Sequence, residues 1–263
     1  MQNLNMKDTF FNITVKKILK NKWKIIDSEK VKNIVKEVMG ENYNNNKAYK
    51  MIYYMKNRWY LIALKKDIFF VKDKNIEINE YEIQDKFYWD ILKKQCNKYL
   101  WNDRYIWWIK ALELNLQNIS IPEEIDIINE IKQSKEVVIT SKYINFKKYK
   151  SNKNINTFKK LKKFCNKEKI WKYSFPYSWL ELSILESLYS PDILWERYKN
   201  ELVKKAIRKY KKIINYNVLS EIIKLGKHHT SINRMYKIWN SIDPKIWKLI
   251  WDIIKKESFF LDT

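Results

Sequence analysis

A chain of 263 residues, 46% apolar and 16% aromatic, can bury one large core or two smaller ones, which excludes global disorder. It has no run of 18 apolar residues, and its opening MQNLNMKDTFF has no charged segment ahead of an apolar one. Neither a transmembrane helix nor a secretory leader is therefore expected, and the location read from sequence is cytoplasmic. The net charge of +23, from 53 basic and 30 acidic residues, calls for a polyanionic partner, nucleic acid before an anionic membrane face.

In chain order, residues 1–75 read as a separate small module. Asp8 is placed to cap a helix carrying Phe11, Val15, Ile18 and Leu19 at helical spacing. In IIDSEKVKNIVKEVMG, Ser28 reads as an N-cap, Val31, Ile34, Val35 and Val38 as one apolar face, and Gly40 as the stop. After ENYNNN a third helix, 45–57, turns Ala48, Met51, Ile52 and Met55 inward. RWYLIALKKDIFFVKD then gives two short apolar strands around Lys65–Lys66–Asp67. Three helices followed by a hairpin is the order of a winged helix-turn-helix, in which the third helix enters the major groove and the hairpin holds phosphate.

The side chains opposite that inner face suit this reading. Asn46, Lys50, Tyr53 and Asn57 share the outer face, with Asn45 and Lys47 at its N-terminal end. Asn can hold an adenine edge and Lys a guanine edge or a phosphate. Residues 1–75 carry 17 basic and 7 acidic side chains. The alternative is a lysine-rich solvated face on a small packing domain.

Residues 80–263 read as a larger mixed α/β domain with a helical C-terminal part, so the whole is α+β. YEIQDKFYWDILKKQC is helical, RYIWWIKALELNL a turn with a short helix or strand, and EVVITS a strand. Residues 142–172 hold 12 Lys against one acidic residue, including Lys147, Lys148, Lys150, Lys159, Lys160, Lys162 and Lys163. This basic segment is either a solvated face or a second surface for phosphate or a protein partner. PYSWLELSILESLYSPD forms an apolar helix ending near Pro191, and helices follow over 194–214, 216–225, 232–238 and 244–256.

No catalytic, metal or cofactor motif emerges. His228–His229 are adjacent, so their side chains diverge and do not share a metal. EYEIQDK and EEIDIINEIK hold carboxylates near a lysine, as a nuclease would, but in helix-like or turn-like settings. Cys96 and Cys165 are far apart and read as buried free thiols.

Several stretches together resemble the AbiEi-type antitoxins of abortive-infection (type IV) toxin–antitoxin systems. They are KNRWYLIALKKDIFFV, YIWWIKALEL, the basic strand-rich middle, ELSILESLYSPD and KLGKHHTSINRM. The resemblance implies a non-enzymatic protein whose winged helix binds the double-stranded DNA of its own promoter. It also implies a C-terminal domain that antagonises a nucleotidyltransferase-like toxin. A restriction-type nuclease with a winged-helix reader, or an RNA-binding accessory protein using 142–172, are the alternatives.

One compositional oddity remains. The chain has 12 Trp but only Gly40 and Gly226 as glycines, where about 7% usage would give roughly 18. Trp23, Trp59 and Trp101 stand at turn-like places where Gly is the usual residue, and the resembling family tends to have Gly at Trp59, Trp107 and Trp108. A reassigned UGA codon, read as Trp where the cell inserts Gly, explains this pattern at Trp59, Trp101, Trp107 and Trp108. Trp89, in an aromatic-rich helix, reads as genuine. The rival is a low-GC genome that truly prefers Trp.

Overall fold

The computed structural model describes residues 9–100, 103–130, 133–149, 157–166, 169–170, 173–189, 193–226, 228–242 and 244–256. Asp8, Trp101, Lys150 and Pro191 lie outside these residues. The fold is mixed α+β, and the chain divides into two compact units. The first takes residues 1–95 with 138–142, and the second takes 96–137 with 143–263.

The first unit begins with α1 (Phe10–Leu19), whose first turn is capped by Thr9, accepting the Asn12 N–H at 3.4 Å. Strand β1 (Ile25–Asp27) follows and runs straight into α2 (Ser28–Met39). The N-cap of α2 is Asp27 and not Ser28: the Asp27 carboxylate accepts the Lys30 N–H at 2.8 Å, and Ser28 is already helical. Gly40 ends the helix at φ +54°, in the left-handed region. Helix α3 (Asn45–Asn57) is capped by the Asn44 side chain, which accepts from Lys47 N–H at 2.8 Å.

Strands β2 (Leu61–Lys65) and β3 (Ile68–Val71) form the hairpin, and β1 joins its far side to give the order β1-β3-β2. Every residue of the central strand β3 is buried, because a middle strand covered on both faces needs an unbroken apolar run. The core joins Val15 and Ile18 of α1, Val31 and Val35 of α2, Ala48, Met51, Ile52 and Met55 of α3, and Leu61, Phe69 and Val71 of the sheet. Helix α4 (Glu80–Leu100) follows, interrupted by non-helical angles at Phe87.

The second unit is built on a sheet of order β6-β7-β5-β4-β11-β8. Its strands are β4 (Arg104–Ile106), β5 (Glu124–Asn129), β6 (Lys135–Ile139), β7 (Lys142–Lys148), β8 (Cys165–Asn166) and β11 (Tyr177–Ser178). Pairs β5/β7 and β4/β11 are parallel, while β4/β5 and β8/β11 are antiparallel. A separate two-stranded ribbon pairs β9 (Lys169–Ile170) with β10 (Tyr173–Ser174). The part of EEIDIINEIK from Glu124 to Asn129 is thus a strand and not helix-like. Residues Ile125–Asn129 are all buried in β5, with the Asp126 carboxylate taken up by Lys147 Nζ at 2.8 Å.

Helix α5 (Trp108–Asn115) follows β4, α6 (Thr157–Leu161) precedes β8, and α7 (Leu180–Ser187) follows β11. Helix α7 is buried from Glu181 to Ser187, in a helical layer with α8 (Ile193–Tyr210), α9 (Tyr216–Gly226), α10 (His229–Asn240) and α11 (Pro244–Lys256). Leu182, Ile184, Val203, Ile222, Ile232, Trp239 and Ile250 are buried in this helical core. None of the described helices is long and apolar enough to cross a membrane.

Candidate nucleic-acid interface

The 3.6-residue period of α3 sorts its side chains into two faces. Ala48, Met51, Ile52 and Met55 are buried, which obliges the opposite stripe to face water. On that stripe Asn46, Tyr49, Lys50, Tyr53 and Asn57 are all exposed, Tyr49 at 56% and Tyr53 at 58%. Exposed tyrosines this large, interleaved with Lys and Asn, offer hydrogen-bonding tips and flat apolar rings on one surface. Tyr54, also exposed, packs its ring edgewise against Tyr53 at 5.9 Å.

Two residues expected at this site have work inside the protein. Asn45 Oδ1 accepts from the Tyr43 hydroxyl at 3.0 Å, and Lys47 Nζ donates to the Asn42 carbonyl at 2.8 Å. Both therefore brace the loop entering α3. Asn46 and Lys50 make no hydrogen bond or ion pair among the described residues and present free heads to solvent.

The hairpin tip is half-buried Lys65, then exposed Lys66, then Asp67. Its charge reaches the helix face electrostatically. The Tyr49 phenol is held below its usual value, chiefly by the hydrogen bond from Lys32 Nζ at 2.9 Å, with a further pull from Lys66. Lys32 on α2 thus bonds Tyr49 on α3 directly, and Lys66 on the hairpin adds the smallest of the pulls on that phenol. Sequence reasoning misses Lys32 and Tyr49. Tyr49 is detectable in principle, since it sits three residues after Asn46 and four before Tyr53 on one stripe. Lys32 is not, because its role depends on how α2 crosses α3.

The basic segment is less uniform than its composition implies. Lys147 is paired with Asp126 and Lys162 with Asp103, each at 2.8 Å. Lys148, Lys159, Lys160 and Lys163 are exposed. The first pair has a buried carboxylate and ties β5 to β7, whereas the second lies at the surface; the exposed ammonium groups define the rest of that surface. His228 is buried, with its ring edge-on to Tyr189 at 6.3 Å. Among the described residues no group of acidic, His and Cys side chains is arranged to hold a metal ion.

A second polar cluster, unanticipated from sequence, lies under the sheet of the second unit. Glu186, 2% exposed, accepts from the Tyr105 hydroxyl at 3.0 Å and from the Ser178 hydroxyl. The backbone N–H of Trp108 and the indole of Trp107 donate to it as well. Burial pushes its carboxyl up to about 8 despite these donors. Tyr105 and Ser178 are themselves buried, so the cluster is closed to solvent and ties β4, β11 and α7 together. Cys96 and Cys165 are both buried and free, and burial raises the Cys96 thiol to about 12. Neither thiol is expected to react with a disulfide reagent until the chain is unfolded by denaturant, and prompt labelling of the folded protein would contradict the described burial.

Comparison with protein families finds no match, and comparison with curated proteins finds none either. A solved structure shares the fold. It is the crystal structure of the RV2827C protein from Mycobacterium tuberculosis, matched with a TM-score of 0.58 over 93% of this chain and 81% of that one. Sequence identity is 9%, so the likeness is one of backbone architecture alone.

Proposed function

We propose that the first unit is a winged helix-turn-helix that binds double-stranded DNA, with α3 as the reading helix and the Lys65–Lys66 turn as the wing. The observation that carries this reading is the outer stripe of α3. It exposes Asn46, Tyr49, Lys50, Tyr53 and Asn57 beside Lys32 and Lys66, with its opposite side sunk in the core. The element order α1-β1-α2-α3-β2-β3, with β1 completing a three-stranded sheet, supports it. So does a net charge of +23.

Together with the resemblance to AbiEi-type antitoxins, this supports a cytoplasmic, non-enzymatic antitoxin that represses its own promoter. Its second unit would antagonise a nucleotidyltransferase-like toxin encoded in the same operon. The test uses the full chain in two assays, repression of its own promoter and rescue of growth inhibited by the neighbouring gene product. Lys50→Glu with Lys66→Glu is expected to abolish repression while leaving rescue intact. Rescue lost in parallel with repression would show that the two activities do not divide between the units. A failure of the wild-type chain to retard its promoter DNA would end the DNA-binding reading itself.

A further inference from the structure

Left-handed backbone is where glycine belongs, because a Cβ there crowds the neighbouring carbonyl. Among the described residues, five that are not glycine have φ in this region: Trp23 (63°), Trp59 (62°), Trp108 (64°), Gln117 (67°) and Thr140 (52°). Three of the five are Trp, although Trp supplies only 12 of 263 residues. Bulky aromatic residues are among the least suited to this conformation.

Each of the three sites has a local geometry that asks for glycine. Trp59 is the clearest. Its N–H donates to the Lys56 carbonyl at 3.0 Å, and the Tyr60 N–H donates to the Met55 carbonyl at 2.9 Å. That pair of bonds is a Schellman motif closing α3, with Trp59 at the position after the C-cap that glycine normally fills. The Trp59 indole is 64% exposed, so little packing compensates the strained backbone. Trp23 lies in the turn between α1 and β1, its N–H bonded to the Val71 carbonyl at 2.8 Å and its ring edge-on to Phe70 at 5.7 Å, with the residue 38% exposed. Trp108 opens α5, and its partly buried indole N–H has no acceptor among the described residues.

Three other described tryptophans separate from these by their backbone. Trp107 has φ −116°, and its indole donates to Glu186. Trp89 and Trp239 are buried within helices. Trp239 also leaves its indole N–H without an acceptor among the described residues, and Trp107 and Trp108 are both half-buried, so it is backbone conformation that divides the two groups.

We propose that positions 23, 59 and 108 are encoded by UGA and decoded as glycine in the cell, whereas 89, 107 and 239 are true tryptophans. The resemblance joins Trp107 to Trp108 as glycine positions; the backbone corrects this at Trp107, whose φ is −116°. Gln117 occupies the same kind of helix-ending position after α5, so a left-handed site is not by itself proof of glycine. What identifies the three is the largest side chain recurring where the smallest fits.

Two measurements test this. Peptide masses from the protein isolated from its own cells are expected to show glycine at 23, 59 and 108 and tryptophan at 89, 107 and 239. Tryptophan at any of the first three, or UGG codons there, overturns the proposal. On the chain with tryptophan at these positions, Trp59→Gly is expected to raise Tm by about 4 °C, whereas Trp59→Ala keeps the offending Cβ and gains little. Equal gains from Gly and Ala would mean that the exposed indole, and not the backbone, carries the penalty, and would overturn the assignment at 59.

Discussion

Glu186→Gln is expected to make the second unit more stable at mildly alkaline pH and to remove most of one pH dependence. In the folded chain burial raises the carboxyl from its ordinary 4.5 to about 8. Between those two values the folded state holds a proton that the unfolded state has lost. Stability is therefore fully present below about pH 4.5 and declines as pH rises toward about 8, by up to 1.36 kcal/mol per pH unit. Across the window the loss is no more than about 5 kcal/mol. Gln keeps the size and an oxygen acceptor for Tyr105 and Ser178 but cannot ionise, so the variant has no such decline. Urea unfolding followed from about pH 5 to about pH 8.5 measures the difference between the two chains, in which all other titrating groups cancel. Parallel stability curves would mean that the four donors around Glu186 already hold it ionised, and that burial does not govern its titration.

What is legible in the sequence is the part dictated by local periodicity. Helix α3 matches the range 45–57 drawn from the spacing of Ala48, Met51, Ile52 and Met55, and all four are buried. The hairpin is equally visible, because IALKKDIFF puts a charged turn between two apolar runs. Strand β1 is not, since three residues are too few to show alternation and Asp27 serves both the strand and the cap of α2. Strand β5 escapes a sequence reading for another reason. Its residues from Ile125 onward are buried, so EIDIIN carries an apolar run without clean alternation, and an apolar run alone does not distinguish strand from helix.

The site follows the same division. The outer stripe of α3 can be named from spacing, but spacing cannot show that Asn45 and Lys47 are engaged by Tyr43 and Asn42. Those bonds close within the entering loop, whose path is set by the turn Gly40–Asn42 and the Asn44 cap. The Glu186 cluster gathers residues from 105 to 186, and nothing local in the sequence links them. Left-handed conformation at Trp23, Trp59 and Trp108 is hinted at by turn-like neighbours and becomes definite only in the backbone angles.

Asn46→Ala and Lys50→Ala are expected to cost about 1–3 kcal/mol each on the promoter operator and much less on random DNA. Both side chains leave the exposed stripe of α3 without internal partners among the described residues, so on the proposed reading their removal would delete base contacts at little cost in folding energy. Asn45→Ala should differ, because its amide oxygen is already bonded to Tyr43 and its removal loosens the loop ahead of the helix. Lys66 stands at the hairpin tip, from which the usual docking of this motif reaches only backbone. Lys66→Ala should weaken operator and random DNA alike, and should flatten the plot of log affinity against log salt by about 0.9 for each phosphate no longer neutralised. Fluorescence anisotropy on both DNAs over a salt series separates these patterns. An equal weakening on both DNAs for Asn46→Ala would mean that α3 does not read sequence. The exposed tyrosines and lysines would then serve as a general phosphate-binding surface, and specificity would have to be sought in another element.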